Sequence, residues 1–189
     1  MTHHPSLKFG LFGGSFDPVH RGHVALARAA LRELRLDRLY VVPAARPPHK
    51  RGRTLSSAAV RLARLRAALQ GIPRAVVSPW ELRRRGVSYT VRTLGAFRRR
   101  FPRADWHVVL GGDSLRGFTS WRDWRGILRL ARLGVGRRAG VSTPRLPPAV
   151  RRRVDFLNVR LPAVSSTELR RRAALRRRTA SGAAARGRR

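Results

Sequence analysis

Short apolar runs alternate along this chain with stretches whose apolar residues recur every three or four positions. The runs Lys8–Phe12, Arg38–Pro43, Ala75–Ser78, Trp106–Gly111, Arg132–Gly136 and Phe156–Leu161 predict buried strands. A helix is predicted over Val24–Leu34, with Val24, Ala27, Leu31 and Leu34 on one face, and Leu62, Leu65 and Leu69 make a second such face. A third opens at Tyr89-Thr90, with Ser88 or Thr90 as the expected N-cap, runs through Leu94, Phe97 and Phe101, and stops at Pro102. Strand and helix in alternation predict an α/β fold, an open and mostly parallel sheet with helices on both faces. Such sheets take ligands beyond the carboxyl ends of their strands, where the strand order reverses. Gly13-Gly14 and Gly111-Gly112-Asp113 each fall just past a strand and are expected to face one crevice. The Pro-, Gly- and Arg-rich stretch Arg137–Arg153 reads as a surface connection, and Arg176–Arg189 as a low-complexity tail.

Composition narrows the function classes. At 189 residues there is room for one domain with a real core, and none of the residues is cysteine, which excludes disulfides, thiolate nucleophiles and Cys-based zinc sites. No apolar run approaches the roughly 20 residues a membrane span needs. The N-terminal residues lack a basic stretch followed by an apolar one, so the expectation is a cytoplasmic protein. The formal net charge is +34, from 43 Lys+Arg against 9 Asp+Glu, and Lys8 and Lys50 are the only lysines. A nucleic-acid binder is one reading of that charge. The arginines are nevertheless spread along almost the whole chain, without clustering or interleaved aromatics, which fits a GC-rich coding sequence better. Either way the charge attracts anionic substrates and gives nonspecific adhesion to RNA at low salt.

The candidate chemistry concentrates in Gly13-Gly14-Ser15-Phe16-Asp17-Pro18-Val19-His20-Arg21-Gly22-His23, between the first strand and the first helix. Two glycines at a strand end let a ligand approach the backbone, and a helix start offers free N–H donors and partial positive charge. His20 and His23, three residues apart, share one helix face. Together these suit a phosphate chain; the alternative is an ordinary turn with polar surface histidines. The run lacks the Lys-Ser/Thr ending of the P-loop and the G-x-G-x-x-G dinucleotide fingerprint. A zinc pair is disfavoured because no third ligand stands at a suitable spacing.

His20-Arg21-Gly22-His23 resembles the signature of the H-x-G-H nucleotidyltransferases, and Gly-Gly-Ser-Phe-Asp-Pro-Val-His is most similar to the bacterial nicotinate-nucleotide adenylyltransferases. Further segments resemble that family in order: Pro47-Pro48-His49-Lys50, Glu81–Thr90, Gly111-Gly112-Asp113-Ser114-Leu115 with Trp121, and Val164-Ser165-Ser166-Thr167-Glu168-Leu169-Arg170. Without the resemblance, the first is a solvated loop or an anion clamp. The second and last read as helix caps, and Trp121 as core or as a stacking platform. The resemblance implies a Rossmann-like nucleotidyltransferase fold over residues 1–177, followed by a tail at 178–189. It implies transfer of AMP from ATP to nicotinate mononucleotide, with Mg²⁺ accompanying the ATP. His20, His23 and Arg170 would be catalytic. Gly13, Gly14, Ser15, Phe16, His23, Gly111, Asp113, Ser166, Thr167 and Arg170 would hold ATP. Ser15, His49, Lys50, Tyr89, Thr90, Asp113 and Trp121 would hold the mononucleotide, with no metal bound by side chains alone. A homo-oligomer is left open. Sister activities toward nicotinamide mononucleotide or phosphopantetheine would leave the Ser88-Tyr89-Thr90 carboxylate site idle.

Two departures from the family pattern stand out. Arg137-Arg138-Ala139-Gly140 replaces Arg-Pro-Gly near the expected adenine pocket. The apolar C-terminal segment ending in Leu-Tyr is replaced by Arg, Ala and Gly, which puts the usual C-terminal packing, and with it stability and activity, in question.

Overall fold

The structure is a computed structural model and describes residues 6–48, 54–137 and 145–159. Within these, β1 (Lys8–Gly14), β2 (Arg38–Pro43), β3 (Ala75–Val77), β4 (Asp105–Gly111), β5 (Arg132–Gly136) and β6 (Val154–Leu157) form one sheet in the order β3-β2-β1-β4-β5-β6. Every adjacent pair is parallel, so the mostly parallel expectation resolves into a wholly parallel sheet. The order reverses between β1 and β4. Chain path and crossover hand together dictate the layers: crossovers of one hand, run in opposite directions from a central strand, lay their helices on opposite faces.

On one face α1 (Arg21–Glu33) and α2 (Ala58–Leu69) cover Phe12, Leu39, Val41 and Val109. The other face carries α3 (Thr90–Arg100), α4 (Gly112–Arg116) and α5 (Trp124–Leu130), packed on Phe9, Leu11, Tyr40, Trp106, Val108, Leu133 and Val135. Alternation along β1 and β2 explains this two-sided core, since neighbouring residues point to opposite faces and both faces are dry. An aromatic cluster anchors the second layer, with Phe9 edge-on to Tyr40, Phe101 and Trp106 at centroid distances of 5.2–5.8 Å. On the first face Gly10 makes room for the leucines. A Cβ there would lie 2.5 Å from Leu39 Cδ1 and 2.7 Å from Leu36 Cδ1.

Three expectations shift. Helix α1 begins at Arg21 rather than Val24, because His20 serves as its N-cap and His23, at the third helical position, accepts the His20 N–H. Strand β6 runs Val154–Leu157 rather than Phe156–Leu161: Asp155 interrupts the apolar run, but Arg132 on β5 takes it up through two hydrogen bonds of 2.7 and 2.6 Å. The 137–153 stretch is more than a connection. Pro148, with its φ preset for a helix start, opens α6 (Pro148–Arg151), which buries Val150 completely. The tail at 178–189 lies outside the described residues. No helix among the described residues is long and apolar enough to cross a membrane.

Candidate active site at the split between the central strands

β1 stays paired with β2 out to Gly14–Pro43, but its pairing with β4 ends at Leu11–Val108. Extending that register by three residues would set Gly14 opposite Gly111, so the two glycine-bearing strand ends part just where the strand order reverses. β4 meanwhile remains paired with β5 through Gly111–Gly136. The sheet therefore opens a crevice between β1 and β4, flanked by the starts of α1 and α4.

The turn from β1 into α1 is held in an uncommon shape. Phe16 has φ 46° and is buried, a conformation a bulky residue adopts only when its surroundings enforce it. The turn drives its ring under Gly14, where a Cβ would sit 3.1 Å from the ring, and against Phe12 at 5.3 Å. The Phe16 ring also meets the edge of His23 at 5.0 Å, which fixes one side of that imidazole. His20 stacks on the same imidazole, with ring centroids 3.7 Å apart. The backbone N–H of His20 donates to His23 Nδ1 at 3.2 Å. A neutral imidazole that accepts at Nδ1 carries its proton on Nε2, which makes Nε2 the donor atom of His23. The two imidazoles are thus brought together, next to the Phe16 ring that lies against Gly14.

A second wall forms where the segment after β2 meets the start of α3. Ser88 is not the N-cap of that helix. Its hydroxyl accepts the backbone N–H groups of Ala45 at 3.0 Å and Arg46 at 3.4 Å, and its own N–H donates to Arg46 O at 3.0 Å. Tyr89 takes the cap position with no side-chain capping bond, so the first turn of α3 keeps backbone donors available for an anion. Glu81, buried beneath, accepts the Thr93 hydroxyl at 2.5 Å and is also bonded to Ser88. Burial pushes its carboxyl above the usual range, and the two hydroxyl hydrogen bonds oppose that rise.

Trp121 reaches this wall from the other direction. It is half-buried against Phe118, at 5.5 Å, and the guanidinium of its neighbour Arg122 lies over the Tyr89 ring at 5.1 Å. The core and platform readings of Trp121 are therefore compatible, since one face packs while the residue stays partly open. Asp113 sits in the first turn of α4 at the mouth of the crevice, exposed and bonded to Arg116 at 2.9 Å. His49, Lys50, Ser166, Thr167 and Arg170 lie outside the described residues.

Arg61 is not among the residues singled out from the sequence. It is 3% exposed and donates to three backbone carbonyls, those of Ser56, Ser15 and Ala44. Burial lowers its pKa from the usual arginine value, and the Asp17 carboxylate opposes that shift. A signal was present: Arg61 precedes Leu65 and Leu69 by four and eight positions, the spacing of one helix face. Among the described residues no three His, Asp or Glu side chains gather as a metal cage.

The cytidylyltransferase-like family model matches residues 11–172. The probable nicotinate-nucleotide adenylyltransferase of Thermomicrobium roseum is 40% identical over 172 residues, covering 88% of this chain and 80% of that protein. The same-named protein of Laribacter hongkongensis is 45% identical over 166 residues, 84% of this chain and 75% of the relative. That of Clostridium novyi is 34% identical over 170 residues, with 86% and 85% covered. Among solved structures, the Plasmodium falciparum nicotinic acid mononucleotide adenylyltransferase complexed with NaAD superposes with a TM-score of 0.68 at 15% identity, over 87% of this chain and 83% of that one, a likeness of fold.

Proposed function

Because the chain belongs to the cytidylyltransferase-like family, with nicotinate-nucleotide adenylyltransferases among its relatives, we propose that it transfers AMP from ATP to nicotinate mononucleotide, yielding nicotinate adenine dinucleotide and pyrophosphate. The observation that carries this reading is the stacked imidazole pair at the β1/β4 split, in which the His20 N–H donates to His23 Nδ1 and so directs the proton of a neutral imidazole to Nε2.

The chemistry asks little more than position and charge. A phosphate oxygen of the mononucleotide attacks the α-phosphorus of ATP in line. One P–O bond forms as the α–β bridging bond breaks, and pyrophosphate leaves with the electron pair. No side chain becomes covalently attached. The Gly13, Gly14, Ser15 and Phe16 backbone lines the phosphates, His23 donates to the α-phosphate as its charge develops, and His20 contacts the neighbouring phosphate. Lys50, Ser166, Thr167 and Arg170 would neutralise the remaining charge. The donors at Tyr89 and Thr90 meet the nicotinate carboxylate, Trp121 stacks on the pyridine ring, Asp113 accepts from a ribose or amide, and His49 joins Lys50 on the mononucleotide. A Mg²⁺ accompanying the ATP would offset phosphate charge.

The test presents ATP and Mg²⁺ with nicotinate mononucleotide, nicotinamide mononucleotide or phosphopantetheine in turn and follows pyrophosphate. Release with the nicotinate compound far above the other two is expected. Equal release with nicotinamide mononucleotide would remove the carboxylate assignment, and no release with any acceptor would remove the activity. The net charge of +34 favours one secondary property, a salt-sensitive and sequence-blind hold on RNA. Such a hold would persist after substitution of His23.

A further inference from the structure

Arginine is abundant in this chain, yet Arg61 is the one arginine among the described residues that is fully buried, at 3% exposure. Its three acceptors come from three separate stretches. Nε donates to Ser56 O at 3.1 Å, just ahead of α2. One terminal nitrogen donates to Ser15 O at 3.0 Å, in the turn after β1, and to Ala44 O at 2.7 Å, just past β2. Asp17, 4% exposed, closes the ring by accepting the Ser56 N–H at 3.1 Å, and the Ala44 N–H donates to Gly14 O at 2.8 Å. Both ends of the segment from Ala44 to Ser56, which carries His49 and Lys50, are thereby tied to the phosphate turn.

Stability alone does not account for an arginine here. Burying a guanidinium carries a heavy desolvation cost, and an apolar side chain of similar length can often replace such a group without loss. Leu65 and Leu69 fill the same helix face one and two turns on. What an apolar residue could not do is hold three carbonyls at once in a fixed planar fork. The Ser15 carbonyl precedes Phe16, and the Phe16 ring braces His23 at 5.0 Å, so a short chain of contacts runs from Arg61 to the imidazole.

We infer that Arg61 is a positioning residue for the AMP transfer, fixing the 13–17 turn and, through Phe16, the aim of His23. The inference rests on the function proposed above and deepens it: Arg61 touches no substrate and acts through the backbone it holds. A displacement of about 1 Å at such a turn is enough to cost about 10²-fold in rate.

The experiment compares Arg61→Lys and Arg61→Met with Leu65→Ala, a core truncation one turn along the same helix face that makes no bond to the turn's carbonyls. Each is measured for kcat, KM, thermal midpoint and amide hydrogen exchange of the Gly13–Asp17 segment. In Arg61→Lys, kcat is expected to fall by about 10²-fold with KM for nicotinate mononucleotide changed less than about threefold. Exchange at 13–17 should speed up while the thermal midpoint stays at or above that of Leu65→Ala. Three results would overturn the inference: an Arg61→Lys variant with wild-type kcat, one whose loss only matches Leu65→Ala, or one that does not fold, since the role would then be structural. If Arg61→Met does not fold, Arg61→Lys decides alone. A wild-type chain that releases no pyrophosphate would defeat the proposed function instead, and the exchange measurement would still judge Arg61's hold on the turn.

Discussion

Arg61 and Arg132 stand at opposite ends of the same sheet and use the same functional group differently. Arg61, beyond the carboxyl ends of β1 and β2, gives its donors to three neutral carbonyls. Arg132, at the amino end of β5, forms a two-pronged pair with the Asp155 carboxylate, and His107 lies 3.4 Å from the same carboxylate. The amino-end arginine is thus matched by a carboxylate, whereas the carboxyl-end one is committed to backbone, with the Asp17 carboxylate nearby. Two further acids lie toward the amino ends. Glu33 pairs with Arg32 and also accepts the Asn158 N–H, and Asp37 accepts the Lys8 N–H, all away from the crevice. One end of the sheet is organised as a closed ionic seam; at the other, Arg61 is committed to backbone carbonyls with Asp17 close by, and Arg116 pairs with Asp113. The difference teaches that the total charge of the chain says less than what each guanidinium is given to hold.

The strongest way to break this comparison is His23→Ala. Loss of a single donor aimed at developing phosphate charge is expected to lower kcat by about 10²–10³-fold, with the thermal midpoint unchanged. Comparable activity in the variant would show that the crevice donors do not serve the transfer. Trp121→Ala should raise KM for the mononucleotide by about tenfold, the worth of one stacking contact, while kcat holds; steady-state kinetics with the mononucleotide varied decide this.

At the other end, Asp155→Asn should leave kcat intact and lower the thermal midpoint by about 2–4 °C, the effect of about 1 kcal/mol in a chain of this size. The pH dependence there has a definite sign. The Arg132 hydrogen bonds hold the Asp155 carboxyl below its usual 3.8, so its contribution is intact above that value and lost as pH falls through the lower folded value. Burial likewise pulls His107 below 6.5, so stability begins to fall once pH drops under that value. Glu81, beside the site, behaves oppositely. Burial raises its pKa above 4.5, so the fold loses stability as pH rises from there through the folded value. Glu81→Gln, which keeps an acceptor for Thr93, is expected to flatten that decline in thermal melts taken from pH 4.5 to 8. An unchanged slope would remove Glu81 as its source.

Much of this fold was legible in the sequence because both sheet faces are buried. Apolar runs such as Arg38–Pro43 and Arg132–Gly136 then stand out with their true bounds. The pairing of the two imidazoles was legible for a related reason, since the turn and both histidines are contiguous in the chain. What escaped was whatever depends on contacts between distant segments. Ser88 looked like a helix cap, and only the folded chain shows its hydroxyl taken by Ala45 and Arg46, more than forty residues away. Asp155 looked like the end of an apolar run until Arg132 on the neighbouring strand took it up. Arg61 was hidden by abundance, as one arginine in a chain where arginine is ordinary. Its helix-face spacing with Leu65 and Leu69 was the single local mark.

The most direct test of the central claim is nitrogen-15 NMR of the imidazoles, followed as ATP and Mg²⁺ are added. In the free protein His23 Nδ1 should resonate as an unprotonated acceptor and Nε2 as a protonated donor. Nucleotide should shift the Nε2 signal of His23 and the ring signals of His20, and leave those of His107 at the opposite end of the sheet unmoved. ATP that binds without disturbing His20 and His23, or that moves His107 instead, would contradict the account.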